Sequence, residues 1–236
     1  MSQFPYQPQQ QQPAWVEGRT AQTAEREREF IRSVYGWMFG GLLLTAAASL
    51  WVVMSPAMQR IVSSTWLFLV IAELGIVFFL SFRIMKMSAG AAASAFLVFS
   101  LLNGLTLSAI FFVYTTASIF QAFVSAGAMF GAMSVYGYVT KRDLTSWGSF
   151  FFMGLIGILI TMVINYFLKS TALGYAISII GVFVFLGLTA YDTQKLKSYA
   201  TATEMRENLA VIGALALYLD FVNLFLMMLR LFGNRR

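Results

Sequence analysis

The chain has 236 residues, of which 59% are hydrophobic and only 11% charged, with a formal net charge of +6. An ordinary soluble domain is about 25% charged, and the apolar residues here fall in long blocks, so the chain reads as an integral membrane protein. The absence of Cys and His excludes disulfides, thiolate nucleophiles, Cys/His zinc sites, haem ligation by His and any Ser–His dyad.

Residues Met1–Gly18 are rich in Gln and Pro (QPQQQQP) and read as a disordered tail. Thr20–Arg32 (TAQTAEREREFIR) alternates Glu and Arg, a solvated pre-helix rather than a partner-binding arm. The first apolar block follows this mixed-charge stretch and is long enough to span, unlike a signal peptide. Residues 1–32 are therefore expected to form a tail and polar cytoplasmic arm, and 33–236 a single transmembrane domain.

Seven apolar stretches follow: Val34–Met54, Thr65–Phe82, Ser88–Val113, Ile119–Val139, Trp147–Leu168, Leu173–Asp192 and Leu209–Leu231. Each suits a bilayer that needs about 20 residues per helix. Connections are short except the polar Thr193–Asn208. No β-barrel alternation is present, so the fold class is all-α, a seven-helix polytopic bundle.

Lys and Arg cluster at segment ends, as anchors rather than as a nucleic-acid footprint. With the N-terminus inside, the inner side holds Arg19, Arg26, Arg28, Arg32, Arg83, Lys86, Lys141, Arg142, Lys195, Lys197 and Arg206. The outer side holds Arg60, Lys169, Arg230, Arg235 and Arg236. The bias favours a cytoplasmic N-terminus. The arginines at the C-terminus oppose it, and a re-entrant last segment would return the tail inside. GWMFG (Gly36–Gly40) and GAMFG (Gly127–Gly131) have GxxxG spacing, read as packing within the bundle rather than as a dimer interface. Trp15, Trp37, Trp51, Trp66 and Trp147 fall near segment ends, as in an aromatic belt.

The informative residues are the acids inside the apolar runs: Glu73, Asp192 and Asp220. A carboxylate in a bilayer costs roughly 3 kcal/mol on insertion scales, which makes each a functional candidate. Glu73 fits a hydrogen bond to a neighbouring helix as well as a site role. Asn103 and Asn165 read as inter-helix bonds. Asn223, three residues after Asp220, shares its face and is placed to orient that carboxylate or to help hold a cation. Arg83 ends the second segment, where snorkelling and an ion pair are equally consistent. Asp220 is about 16 Å into the seventh segment and Asp192 lies at the inner boundary, so simple helix depths separate them by more than about 10 Å.

The runs LALYLDFVNLFLMMLRLFG (Leu215–Gly233), VYGWMFGGLLLTA (Val34–Ala46) and AYDTQKLK (Ala190–Lys197) resemble the Bax inhibitor-1 (transmembrane Bax inhibitor motif) family, in its bacterial YccA-like branch. The likeness covers about Arg32 to Gly233. It implies a central last helix wrapped by the other six, in a bacterial inner membrane. It also implies a pH-sensitive pair formed by Asp192 and Asp220, with Arg83 as the cation that binds the pair and favours a closed state. Its members are associated with calcium leak, and some bacterial relatives modulate a membrane-bound protease.

Calcium prefers six to eight oxygen ligands. Asp192 and Asp220 with Asn223 make a sparse set, suited to weak and transient binding. The leading expectation is a pH-gated calcium-permeable channel or leak with no resident cofactor. The alternative is a membrane-embedded regulator of a membrane protease or stress response. A proton-coupled transporter relaying through Glu73 lacks the inverted repeat or broken helices it would need. An enzyme lacks a nucleophile paired with a base, and the oligomeric state stays open.

Overall fold

The computed structural model describes residues 14–83, 86–200 and 207–236. The Gln/Pro-rich run lies outside the described residues, and so does Arg206. Among the described residues there are eight helices, in chain order α1 (Ala14–Met54), α2 (Pro56–Arg83), α3 (Ala89–Leu107), the single turn α4 (Ile110–Val113), α5 (Thr116–Val139), α6 (Thr145–Leu168), α7 (Thr171–Ala200) and α8 (Glu207–Phe232). Seven are long and apolar enough to cross a membrane. The polar arm is continuous with α1, so the expected boundary near residue 32 is not a break in the helix.

Helix ends fall where local chemistry puts them. Ser55 separates α1 from α2, and Pro56 begins α2, where its missing N–H costs nothing. The Ser88 hydroxyl accepts from Ala91 N at the start of α3, and the Thr115 hydroxyl accepts from Ser118 N at the start of α5. Before α6 the Asp143 carboxylate accepts from Thr145 N at 2.9 Å. Hydrogen bonds from Thr145 hold its carboxyl below the usual range.

Burial decides the layers. Two-thirds of the α8 span (67%) is buried, against 6% for the spans of α2 and α6. Helices α1, α3, α5 and α7 pack directly on α8, while α2 lies outside on α3 and α1, and α6 outside on α7. The expected central last helix is present, wrapped in two layers rather than one. Tyr218, fully buried, stands edge-on to Phe96 and Phe99, each at 5.7 Å between ring centres.

Several expectations are corrected. Helix α7 runs eight residues past Asp192, to Ala200, so most of the expected polar loop Thr193–Asn208 is helix. Helix α8 is continuous, and the residues after it bond to the turn before α5: Thr115 N donates to Asn234 O and Arg236 N to Val113 O. A re-entrant last segment is thereby excluded. A Cβ on Gly36, Gly40, Gly127 or Gly131 would meet nothing within 4 Å, so neither GxxxG motif packs the bundle. Close approach happens at other glycines. A Cβ on Gly137 would strike the Ala190 backbone, and one on Gly104 the Thr45 backbone. Trp51, Trp66 and Trp147 are exposed, as belt residues should be, whereas Trp37 packs against the core.

Gly137→Ala is expected to force α5 away from α7 and lower stability by about 1–3 kcal/mol, the usual range for overpacking. Gly127→Ala has open space and should be neutral or stabilising by up to about 1 kcal/mol. Thermal unfolding of the purified proteins in detergent separates the two outcomes.

Candidate functional site: a carboxylate pair beside the central helix

Both aspartates lie in the seam between α7 and α8. On α7, Gly181, Phe185, Leu188, Asp192 and Leu196 recur at spacings of three and four and so share a face; on α8, Gly213, Leu217, Asp220, Leu224 and Met227 do the same. The ends of the two stripes touch, since a Cβ on Gly213 would meet Leu196 and one on Gly181 would meet Met227. In that antiparallel register Asp220 stands opposite 188–189. It is offset from Asp192 by three to four residues, roughly 5 Å along the axis. The separation of more than about 10 Å expected from simple depths is therefore wrong. The reason is the extension of α7 to Ala200, which moves Asp192 away from the helix end.

The pair is asymmetric. Asp220 is 6% exposed, and its Oδ2 has no hydrogen-bond partner. Asp192 is half-buried. The two carboxylates interact through their charges without a direct hydrogen bond. Lys195, one turn beyond Asp192, is close enough to attract the Asp192 carboxylate, and its ammonium lies over the Tyr191 and Tyr199 rings at 5.7 and 5.8 Å.

A third polar group belongs to this region. The Ser134 hydroxyl on α5 is buried with no partner. One turn before it Phe130 packs on Phe221, next to Asp220, and three residues after it Gly137 touches Ala190, two residues before Asp192. Ser134 thus faces the seam between the levels of these contacts. Its signal in the sequence was a lone hydroxyl on the Ala126–Phe130–Ser134 stripe, which reads as ordinary packing until the helices are placed.

The other expected site residues are not at the pair. Arg83 is exposed at the end of α2 and makes no hydrogen bond or ion pair among the described residues. Asn223 Nδ2 donates to Leu219 O at 2.8 Å, so it bonds its own helix rather than Asp220. Asn165 likewise serves the turn between α6 and α7, accepting from Ser170 N. Among the described residues no cluster of three acids could hold a metal ion.

Glu73 belongs to a separate network. It accepts from the Thr106 hydroxyl at 2.6 Å and from Asn103 Nδ2 at 3.3 Å. The Tyr218 hydroxyl donates to Asn103 Oδ1 at 2.9 Å and lies 2.6 Å from the Thr45 hydroxyl. This chain of bonds links α2, α3, α8 and α1. Tyr218 and Asp220 are two residues apart, about 200° around the helix, so α8 presents the network to one side and the carboxylate to the other.

The family described as "Inhibitor of apoptosis-promoting Bax1" matches residues 27–236. The chain belongs to the Bax inhibitor-1 family. It is 52% identical over 215 residues to the inner membrane protein YbhL of Escherichia coli K12, covering 88% of this chain and 92% of that one. A protein of Deinococcus radiodurans is 42% identical over 217 residues, covering 91% and 94%. Protein RP147 of Rickettsia prowazekii is 42% identical over 214 residues, covering 89% and 91%. The likeness to these relatives spans most of each chain, and the family match runs from within the first span to the end of the last.

Burying an unpartnered polar atom costs about 1–3 kcal/mol, so Asp220 weakens the fold that holds it. Asp220→Asn should leave the melting temperature unchanged or raised, because Oδ2 has no bond to lose. Tyr218→Phe strips bonds from Asn103 and Thr45 and should cost about 1–2 kcal/mol. Paired thermal melts check this; a large loss in Asp220→Asn would make that residue structural.

Proposed function

We propose that the protein is a calcium-permeable leak or channel of a bacterial inner membrane, opened and closed by protonation of the Asp192–Asp220 pair. The observation that carries this reading is the unpartnered Asp220 Oδ2 in the α7–α8 seam, one helical turn from a second carboxylate. Two carboxylates a helical turn apart, one of them buried, do not both ionise cheaply, so the pair titrates in two coupled steps. Calcium is the cargo. The two carboxylates and the Ser134 hydroxyl are fewer oxygens than calcium prefers, so the ion keeps part of its water and leaves readily.

The sign of the pH dependence follows from charge. With both carboxylates ionised the pair attracts Arg83 most strongly, which favours closure. One proton weakens that attraction while leaving a charge for the cation, and flux rises. A second proton removes the charge, and flux falls again. Helix α2 has few buried contacts, which suits it to carry Arg83 toward and away from the seam.

Calcium flux into liposomes containing the purified protein tests this. Wild type should show a maximum at intermediate pH. Asp192→Asn and Asp220→Asn should each lose most of the flux, on the order of tenfold or more, with a flattened profile. Arg83→Gln should keep flux high on the alkaline side. Equal flux in wild type and both Asn variants at every pH would sink the reading.

A second reading, a membrane-embedded regulator of a membrane protease, is favoured by the outward-facing Gly36–Gly40 and Gly127–Gly131 pairs, which leave α1 and α5 open to a partner helix. Gly127→Ile would then abolish regulation and spare flux.

A further inference from the structure

A cluster of positive charge outside the aspartate site lies at the other end of the bundle. A cavity of about 640 Å³ opens between the ends of α6, α7 and α8, in the size range of small-molecule sites. Lys169, Arg230 and Arg235 line it together with Tyr114, Tyr166 and Tyr175, and no carboxylate side chain does. Ser178, the wall residue on α7 nearest the pair along the chain, is 14 residues from Asp192, roughly 20 Å, so the cavity is separate from the pair.

Three observations mark it as built rather than incidental. First, Lys and Arg at segment ends ordinarily gather on one side of a membrane protein. Of the five that the count leaves on the minority side, three converge here. Second, Arg235 is held by its backbone. Its neighbours bond to the turn before α5 through Thr115 N to Asn234 O at 3.1 Å and Arg236 N to Val113 O at 3.0 Å, and Asn234 N donates to the Ser118 hydroxyl at 2.9 Å. Gly233 permits this course, since a Cβ there would strike the Tyr114 ring. Third, Lys169 caps α6 in the left-handed region, with φ 52°, the one non-glycine residue described there with positive φ. Glycine would fit that position with less strain. The residue in that position is instead Lys169, and it lines the cavity.

We propose that this cavity is a binding site for a phosphate-bearing anion. Three cations and three tyrosines match the charge and the acceptor oxygens of a phosphate, and arginine binds such groups through paired N–H donors. Two sources share this chemistry, the headgroup of an anionic phospholipid and a free phosphate compound. The rim supports the lipid: Phe167, Tyr166 and Phe232 are exposed beside it and would lie along acyl chains.

The test uses the full chain purified in detergent, titrated calorimetrically with short-chain phosphatidylglycerol, short-chain phosphatidylcholine and inorganic phosphate. The expected result is saturable binding of phosphatidylglycerol, one per chain, weakened at least tenfold by Lys169→Gln with Arg235→Gln, while phosphatidylcholine does not saturate. Arg60→Gln removes the same kind of charge outside the cavity and should bind as wild type. Saturable inorganic phosphate binding of equal strength, with the same variant sensitivity, would assign the site to free phosphate. The proposal is overturned if neither anion saturates, if the double variant binds as wild type, or if Arg60→Gln weakens binding equally. Unchanged helicity and an unchanged melting temperature without ligand confirm that the double variant is folded; if it is not, each single variant carries the same comparison.

Discussion

Enclosing α8 at the middle of the bundle is the constraint on which the rest of the structure depends. Along its middle, a helix surrounded by α1, α3, α5 and α7 cannot turn a polar side chain toward water or lipid. Every polar group it carries there must find a partner or remain uncompensated. Tyr218 finds partners in Asn103 and Thr45, which also fixes the rotation of the helix. That rotation directs Asp220 into the α7 seam, where Oδ2 has none. The same enclosure therefore stabilises one side of α8 and leaves an uncompensated atom on the other.

Glycines set how closely the neighbours approach. Gly137 against Ala190, Gly148 against Tyr191 and Gly187 against Phe151 clamp α7 between α5 and α6. With α7 held in this way and α8 held by Tyr218, the seam is a rigid frame for its carboxylates. Helices α2 and α6 are the least buried of the described spans, and α2 is tied to α3 through Glu73 on Thr106 and Asn103 and to α1 through Gln59 on Val53 O.

Much of this was legible in the sequence. Bilayer-length apolar runs fixed the number of spans, and the energetic cost of intramembrane acids singled out Glu73, Asp192 and Asp220. What the sequence hid were properties of placement. GxxxG spacing at Gly36 and Gly127 has the pattern of close packing, yet these glycines face outward, while isolated glycines such as Gly104 and Gly137 make the close contacts. Spacing cannot tell which face of a nearly all-apolar helix is inside. The polar composition after Asp192 suggested a loop, but tertiary contacts carry α7 on to Ala200. Leu196 against Gly213 and Lys197 donating to Tyr138 O are two of them. That extension is what brings the aspartates within a turn of each other.

The C-terminal arginines show the same limit from the other direction. Counted as topology signals, they only weakened the inside-positive bias. Placed by the fold, Arg230 and Arg235 stand with Lys169 around one cavity, and the backbone bonds of Asn234 and Arg236 keep Arg235 there. Helix α8 carries Arg230 ten residues beyond Asp220, about 15 Å along one helix uninterrupted by Pro. Arg230 and Asp220 therefore stand on one unbroken helix, which fixes the distance between the cavity and the seam.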